Sequence, residues 1–433
     1  MDIRDVGRGE SSGLGNFPLD PARYAVVAMV WLATFLFWMA WFMQGPLLAA
    51  YWNRREHVSF SSAEYLLSSV TIVCIATALV AGYGYDRFGP RKASTLCLAF
   101  IALGFGLRPL TTGNFAATLI LTVVAGVGMP LLIAPAAIAA QWFGPHRMNL
   151  PLALGYSAIP FGQFAGQLLG ARMWADLGIT WTFGVMSIAL VAVLILWWVV
   201  VPEAPKQPAG PPAVKAAPLW TGLWDVIRTE NALMLFGVAG FTSGAVIFTG
   251  SFLNTFLDST YHLSPVQGGD DSSVFSGASF LGVLVLGYLA RRSKTTREFG
   301  IGTAAGWLLS WLVIAIAWFV GGIPLWAVLV LLAVSGFCQA PNYAFGVNAL
   351  ERSPGIRPET VGVAAGFYFT GSSLGGFVLP TVIARIVNAN HAGAGLLGPL
   401  VLIAAGTILW TATLIPRRAR RTSVVAQQAA ARR

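Results

Sequence analysis

Residues Gly82–Lys92 read GYGYDRFGPRK and place one acid, three bases and three glycines between two long apolar segments. Charged side chains are costly inside a hydrocarbon layer, so this stretch is expected to lie outside it and to connect the two segments. Gly82 would allow two helices to approach closely, and Gly89 would allow a tight turn with positive φ. The stretch therefore predicts a short polar loop between two apolar helices.

The composition extends this pattern to the whole chain. Hydrophobic residues make up 56% of the 433 positions and charged residues only 10%, against about 25% charged residues in soluble domains. Apolar segments long enough to cross a hydrocarbon core of about 30 Å as helices recur throughout, and the alternation expected of barrel strands is not seen. We therefore predict an all-α membrane protein with twelve transmembrane helices, spans 1 to 12, at residues 24–46, 61–84, 93–111, 115–141, 150–172, 180–201, 231–256, 266–290, 299–320, 324–349, 359–384 and 394–415.

The distribution of positive charge predicts the orientation. Most of the 27 Lys and Arg residues lie in alternate loops and at the two termini, whereas the opposite side holds Arg54, Arg55, Arg108, Arg172 and Arg385. The positive-inside rule then places both termini in the cytoplasm, and an even number of spans gives the same result. The net charge of +10 is thus explained by topology and does not indicate nucleic-acid binding. The expected location is the plasma (bacterial inner) membrane, as a multi-pass protein.

One segment interrupts the series of spans. Residues 202–219, PEAPKQPAGPPAVKAAPL, have the composition of an extended linker, and the following residues 220–230 could form a short interfacial helix with Trp220 and Trp224 on one face. The predicted organisation is an N-terminal tail (1–23), a six-helix bundle (24–201), a cytoplasmic linker (202–230), a second six-helix bundle (231–415) and a basic tail (416–433).

The spacing Gly82-x-x-x-Asp86-Arg87-x-Gly89-x-Arg91-Lys92 resembles the signature loop after the second span of the major facilitator superfamily. The resemblance implies two pseudo-symmetric six-helix halves around a midplane site. A degenerate copy, Gly287-x-x-x-Arg291-Arg292-x-Lys294, follows span 8. In the family this loop gates the cytoplasmic side, which implies a gating role for Gly82, Asp86, Arg87, Gly89, Arg91 and Lys92.

The same resemblance implies where the loop docks. The acid of the family motif caps the start of span 11, so Asp86 is expected at residues 357–362 (RPETVG), with Glu359 as a candidate partner of Arg87 or Arg91. The alternative for the three bases is that they only mark the cytoplasmic side.

Polar side chains recur at helical spacing on several spans. Ser251, Asn254, Thr255 and Asp258 share a face of span 7. On span 5, a stripe of Gly162, Gly166 and Gly170 predicts close helix packing. These patterns and the family's cavity-lining spans predict a substrate cavity lined by Trp38, Trp41, Tyr156, Gln163, Gln167, Asn254, Gln339, Asn342, Tyr343 and Tyr368. The alternative is that the polar members only hydrogen-bond between helices.

Ionisable residues inside the spans each suggest a function. Asp270 and Asp271 of span 8 are candidates for proton coupling, or alternatively caps of a helix delayed by Gly268 and Gly269. Arg172 and Arg385 end spans 5 and 11 at corresponding places and could attract an anion, or alternatively reach the lipid–water boundary. Arg108 is expected to reach that boundary as well, and Glu64 is expected to be a first-turn acid of span 2.

No phosphate-binding G-x-x-x-x-G-K-[ST] motif, metal-ligand set or nucleophile constellation is found, so an enzyme, a cofactor and a metal are not predicted. The resemblance implies a secondary transporter of a small polar organic solute that works by alternating access, with an organic anion and proton coupling as finer options. The expected partners are that solute, the lipid bilayer and protons, without nucleic acid, and the protein is expected to be a monomer. The alternatives are a drug or metabolite efflux antiporter and a non-transporting membrane sensor or assembly factor.

The sequence departs from several subfamilies. Span 4 has Thr122 where proton-coupled members often carry an arginine, and spans 2 and 8 lack the arginines of nitrate-transporting members. Span 5 lacks the full glycine-proline pattern of drug/proton antiporters, and Phe275 follows Asp271 by four residues where monocarboxylate carriers place a base. The substrate therefore stays open at this stage.

Overall fold

The computed structural model describes residues 21–143, 149–203, 218–290, 296–339, 346–347, 349–351, 353, 355–356, 360–390 and 392–413, and within these ranges it is helical throughout apart from short turns and loops. Nine of the described helices are long and apolar enough to cross a membrane. Many apolar side chains on their outer faces are exposed, among them Leu96, Val199 and Ile316. These features establish an all-α, multi-pass membrane protein.

Each predicted span coincides with helix, and the span numbers are kept below. Their bounds are Pro21–Phe42 for span 1, Tyr65–Phe88 for span 2, with the turn Phe60–Ala63 before it, Pro90–Gly106 for span 3, Phe115–Gly126 and Ala134–Phe143 for span 4, Asn149–Val200 for spans 5 and 6, Ala232–Tyr261 for span 7, Pro265–Ala290 for span 8, Thr296–Val320 for span 9, Leu325–Gln339 for span 10, Val361–Asn390 for span 11 and Ala392–Ala412 for span 12.

The exact count of twelve stays a prediction. Spans 5 and 6 form one 52-residue helical segment that changes direction only at Gly178, whose φ of 76° and ψ of 166° are not helical. Span 8 is long enough to cross the membrane but is absent from the apolar set, and the described part of span 10 is a shorter apolar helix. Span 8 differs from the other spans in its polar side chains, which include Asp270, Asp271 and several serines.

Helix contacts in the second half, after residue 218, repeat those in the first half, before residue 203. Span 1 packs against span 5 as span 7 packs against span 11, and span 2 packs against span 4 as span 8 packs against span 10. Span 3 contacts spans 4 and 6, and span 9 contacts spans 10 and 12 in the same way. The repeat supports the proposed division into two six-helix bundles.

Glycines set the closest helix approaches within each half. A Cβ at Gly166 would lie 2.7 Å from the Met39 carbonyl oxygen of span 1, and one at Gly170 would lie 2.7 Å from the Met43 carbonyl oxygen. The stripe predicted on span 5 therefore packs against the backbone of span 1. In the second half, a Cβ at Gly371 would lie 2.6 Å from the Phe236 carbonyl oxygen of span 7.

The two halves meet along two helix pairs, span 2 with span 11 and span 5 with span 8. We call the end of the molecule that carries Arg54 the Arg54 end, and the opposite end, with the loop between spans 2 and 3, the Gly89 end. At the Gly89 end a Cβ on Gly82 would overlap the Gly362 carbonyl oxygen of span 11. The helix Leu219–Arg228 packs beside this contact, with Gly222 near Thr360 and Val363, and exposes Trp220 and Trp224.

The Gly82 contact gives a direct test of the span 2–span 11 interface. Gly82→Ala places a methyl group against the Gly362 backbone, which cannot move as a side chain tip would, and overpacking of this kind costs about 1–3 kcal/mol. The matched control is Gly84→Ala, where the nearest atom to a new Cβ is Phe88 Cδ2 at 3.9 Å. Both changes raise helix propensity equally, so thermal unfolding in detergent should show Gly82→Ala melting below Gly84→Ala. Equal melting temperatures would contradict this close contact.

Candidate functional site

A line of serines on span 8 connects three other spans. Ser272 Oγ donates to Asn254 Oδ1 of span 7 at 3.0 Å, Ser276 Oγ donates to Gln167 Oε1 of span 5 at 3.1 Å, and Ser279 Oγ donates to Gln339 Oε1 of span 10 at 3.0 Å. Residues four and three apart share a face of a helix, which is why these hydroxyls line up. We call these six residues the serine–carboxamide cluster.

The cluster is buried and spans both halves. All six side chains are at most 3% exposed, and Ser276 lies near the middle of the 26-residue span 8. Its bond to Gln167 joins the two halves, whereas the other two bonds stay within the second half. Gln163, one turn from Gln167, is 2% exposed, and its Nε2 has no hydrogen-bond partner in the described structure. The cluster thus offers hydroxyls and amides, but no formal charge, near the middle of span 8.

The carboxamides of this cluster were predicted from the sequence as cavity residues, whereas the three serines were not. Ser272, Ser276 and Ser279 occur in DDSSVFSGAS, at spacings of four and three residues. That spacing was a usable signal, since the same rule had already selected the stripe on span 7.

Trp38, Trp41, Tyr156 and Tyr368, which were also predicted to line the cavity, are not members of the cluster. The Trp38 and Trp41 rings lie in contact in the core of the first half, tilted by 35° with centroids 4.7 Å apart, and Trp41 Nε1 donates to the Leu67 carbonyl oxygen at 3.0 Å. Tyr156 is near Tyr368 and Glu351 of the second half. Asn342 and Tyr343 lie outside the described residues.

Ion pairs join the halves at the Arg54 end. Arg172 donates to both carboxylate oxygens of Asp270, from Nε at 3.0 Å and from Nη2 at 2.7 Å, and Arg54 pairs with Asp258 of span 7. Arg385 Nη2 donates to the Tyr65 hydroxyl of span 2 at 2.9 Å. Arg172 and Arg385 are therefore engaged with the opposite half, at corresponding places in the two interfaces.

A small cleft lies beside the Arg54–Asp258 pair at the Arg54 end. Pro265 lies on its wall, and Asn254 of the serine–carboxamide cluster lies on it as well. The cleft therefore extends from the Arg54 end to one member of the cluster. Asp271, beside Asp270, is half-buried.

The loop at the Gly89 end has the predicted turn, and its bases have partners among the described residues. Gly89 has a φ of 80° between the two helices, as expected. Arg87 Nη1 donates to the Tyr83 hydroxyl at 2.9 Å, and Arg91 Nη2 donates to the Trp198 carbonyl oxygen of span 6 at 2.9 Å. Lys92 lies 4.0 Å from Glu203. The bases thus contact their own half.

The proposed docking of Asp86 on span 11 is left as a prediction. The Asp86 side chain, residues 357–359 with Glu359, and the bases Arg291, Arg292 and Lys294 of the degenerate loop lie outside the described part of the structure. Gly82, however, does contact the start of span 11 through Gly362.

Arg108 does not reach the lipid–water boundary, and this expectation was wrong. The side chain is 1% exposed. Its Nη2 donates to Thr122 Oγ1 of span 4 at 2.7 Å and its Nη1 to the Ala40 carbonyl oxygen of span 1 at 3.3 Å, with the guanidinium carbon 4.0 Å from the Phe105 ring centroid. Span 4 has no arginine of its own at Thr122, but Arg108 reaches this position from the end of span 3.

Glu64 also differs from its expected role as a first-turn acid. The helical segment begins at Phe60, Ser59 provides the cap, and the Glu64 side chain makes no cap hydrogen bond. Its carboxyl group is completely buried, and neither of its oxygens accepts a hydrogen bond in the described structure. The Ser251 side chain of span 7 lies beside it.

Comparison with known proteins places this architecture in a family. The family model described as Major Facilitator Superfamily matches residues 30–380. A probable nitrate/nitrite transporter, NarK2, of Mycobacterium tuberculosis is 28% identical over 279 residues, which cover 62% of this chain and 66% of the relative. An MFS-type efflux pump of Mycolicibacterium smegmatis is 27% identical over 279 residues, which cover 62% of each chain. The matches therefore span slightly less than two thirds of these relatives' lengths.

Solved structures show the same fold. The crystal structure of an auto-inhibited POT family peptide transporter superposes with a TM-score of 0.66 at 15% identity and covers 91% of this chain and 97% of its own. The human organic anion transporter MFSD10 superposes with a TM-score of 0.63 at 17% identity and covers 90% and 99%, respectively. At these identities the likeness concerns the fold alone.

The Arg108–Thr122 bond can be tested by stability. Thr122→Val removes an acceptor from a buried guanidinium, and leaving such a donor unsatisfied costs about 1–3 kcal/mol. Thr407→Val is the control, because the Thr407 hydroxyl donates only to the Ile403 carbonyl of its own helix. In thermal unfolding, the melting temperature of Thr122→Val should lie well below that of Thr407→Val. Similar values for the two variants would show that Thr122 does not hold Arg108.

Proposed function

Because the chain belongs to the major facilitator superfamily, we propose that it is a secondary transporter that carries a small polar organic solute by alternating access. The two six-helix bundles (24–201 and 231–415) would rock about the midplane, so that the span 2–span 11 and span 5–span 8 interfaces open at one end while they close at the other. The expected setting is the bacterial inner membrane with both termini in the cytoplasm, so that the Arg54 end faces outward.

The serine–carboxamide cluster is the observation that carries this proposal. It lies at the midplane and joins both halves, and each of its bonds is a neutral hydroxyl–amide pair that a solute with its own donors and acceptors could replace. Without a solute each serine hydroxyl is paired with a carboxamide oxygen, as polar groups in a bilayer require. A solute that bridges Gln167 and Ser276 would therefore replace a contact that must break when the halves separate.

The charged groups support a gating role more directly than a binding role. Arg172 is neutralised by Asp270, and Arg385 is held by Tyr65, so attraction of an organic anion would require these contacts to open first. Of the two acids proposed for proton coupling, Asp271 is thus the one without a bidentate arginine partner.

Two narrower alternatives remain. An efflux antiporter for amphipathic compounds is favoured by the M. smegmatis relative and by an aromatic group that joins the halves, in which the Phe161 and Phe280 ring centroids lie 4.9 Å apart. Nitrate transport is favoured by the M. tuberculosis relative. The absence of arginine from predicted spans 2 and 8 speaks against it. The third alternative is a non-transporting sensor or assembly factor.

A thermal-shift screen of the purified protein tests the solute class. The panel holds polyols and sugars, amino acids, carboxylates, nitrate and amphipathic drugs, since a bound solute raises the melting temperature. We expect a neutral hydrogen-bonding solute to give the largest shift, and Ser276→Ala to weaken its binding about tenfold, which corresponds to one hydrogen bond of about 1.4 kcal/mol. Ser310→Ala, which removes a buried hydroxyl that bonds only within span 9, should leave binding unchanged.

Flux of the same solute into liposomes completes the test, with Asp86→Asn as the gating variant. Nitrate or carboxylates as sole ligands, or equal binding by Ser276→Ala and Ser310→Ala, would contradict the neutral-solute proposal. Flux of every tested solute that is unchanged by Asp86→Asn would instead favour the non-transporting alternative.

A further inference from the structure

Glu64 occupies an unusual place in the interface between the halves. It lies at the Arg54 end, where the start of span 2 packs against spans 7 and 11, and its side chain is completely buried. On its own helix the neighbouring Ala63, Leu66 and Leu67 are equally buried. Phe60, one turn earlier, joins the aromatic and aliphatic core around Phe248 and Phe252 of span 7. The carboxyl group therefore lies in apolar surroundings that contain residues of both halves.

Few polar groups are available to this carboxyl. The Ser251 hydroxyl lies beside it but donates to the Phe248 carbonyl oxygen at 2.9 Å. Ser68, one turn along span 2, donates to the Glu64 backbone carbonyl and lies 3.4 Å from Thr381 Oγ1 of span 11. Neither hydroxyl donates a hydrogen bond to the Glu64 carboxyl group. Both carboxyl oxygens are therefore without a hydrogen-bond partner among the described residues.

The charged groups on the packed elements engage other partners. On span 11, Arg385 is exposed and bonded to Tyr65. On span 7, Asp258 pairs with Arg54, which lies in the loop between spans 1 and 2. The charged groups of the helix Leu219–Arg228 lie at the Gly89 end. The short segments around Pro46 and Met129 and the helix Phe115–Gly126 carry no ionisable side chain. In the described structure, no charge therefore faces Glu64 from these neighbours.

An ionised carboxylate in this place would lack both a counter-charge and hydrogen bonds. Burying such a charge costs several kcal/mol or more, whereas the protonated carboxyl is far less costly. The closed conformation therefore favours the protonated form. If the halves part at the Arg54 end, Glu64 separates from Ser251, water reaches the carboxyl, and an ordinary glutamic acid in water is ionised near neutral pH.

We propose that Glu64 is the proton-binding group of this protein, which holds its proton while the Arg54 end is closed and releases it to that side as the two halves separate. The inference rests on the proposed transport function for its role in coupling, but not for the protonation itself. It differs from the assignment to Asp270 or Asp271, because Glu64 has neither a salt-bridge partner nor access to water. The only covalent change is loss of the carboxyl proton to water, which leaves the carboxylate.

The linkage has a definite sign. The closed conformation binds one more proton than the open one, so lowering the pH favours closure and raising it favours opening. Above the ordinary value for a glutamic acid, each pH unit should shift the closed-to-open ratio by up to about tenfold, until the buried carboxyl itself ionises.

Infrared spectroscopy of the protein in lipid nanodiscs tests the protonation without any substrate. Near neutral pH, the wild-type protein should show the C=O stretch of a protonated carboxylic acid, and Glu64→Gln should lose it. Asp271→Asn is the control, since it removes the competing half-buried acid and should retain the band. Glu64→Asp should retain the band at a shifted position, which guards against loss through misfolding. A wild-type protein without the band, or a band that persists in Glu64→Gln, would overturn the proposal.

The same samples, spin-labelled at the exposed positions Arg55 and Ser259, test the link to opening. The distance across the Arg54 end should lengthen as the pH rises in the wild type and in Asp271→Asn, and should become independent of pH in Glu64→Gln. Unchanged pH dependence in Glu64→Gln would overturn the coupling role. If the band and the pH-dependent opening are both found but no solute is carried, the proposed transport function fails and the assignment of Glu64 stands.

Discussion

Polar side chains inside a bilayer need hydrogen-bond partners, and span 8 carries several whose partners lie on other helices. Its three serines each engage a carboxamide on a different span, and Asp270 engages Arg172 on span 5. Because span 5 belongs to the other half, these contacts fix how the halves lie relative to each other. Side-chain hydrogen bonds within membranes contribute only about 0.6–2 kcal/mol each, so the contacts between halves can break and re-form.

Close backbone contacts hold the helices together inside each half. The glycines of span 5 bring its backbone against span 1, and Gly371 does the same between spans 11 and 7. Such close packing does not come apart without loss of many contacts at once. The interface between the halves combines contacts of this kind, as at Gly82 and Gly362, with polar contacts that are weaker one by one. Arg108, bonded to spans 1 and 4, belongs to the contacts inside the first half.

The sequence predicted well what depends on local pattern. Helical segments follow from apolar runs, the turn at Gly89 from a glycine between charges, and the packing stripe on span 5 from small residues four apart. It failed where a side chain's role depends on its neighbour. Spacing shows that Ser272 and Ser276 share a face, but not that this face meets Gln167. Glu64 looked like a helix-terminal acid because its burial comes from spans 7 and 11, which no local pattern reveals. Arg108 was misjudged for the same reason, since Thr122 and Ala40 come from other spans.

The central claim is that polar contacts between the halves at the Arg54 end hold a closed conformation that can open. The pairs Arg54–Asp258 and Arg172–Asp270 are partly exposed, and exposed pairs are weak because solvent screens the two charges. Pulsed electron resonance between labels at positions 55 and 259, in the Asp258→Asn/Asp270→Asn double variant in nanodiscs, measures their effect directly. We predict a longer distance whose population exceeds that in the wild type by a few-fold to about tenfold, with Asp271→Asn unchanged. A single short distance in the double variant, identical to the wild type, would contradict the claim.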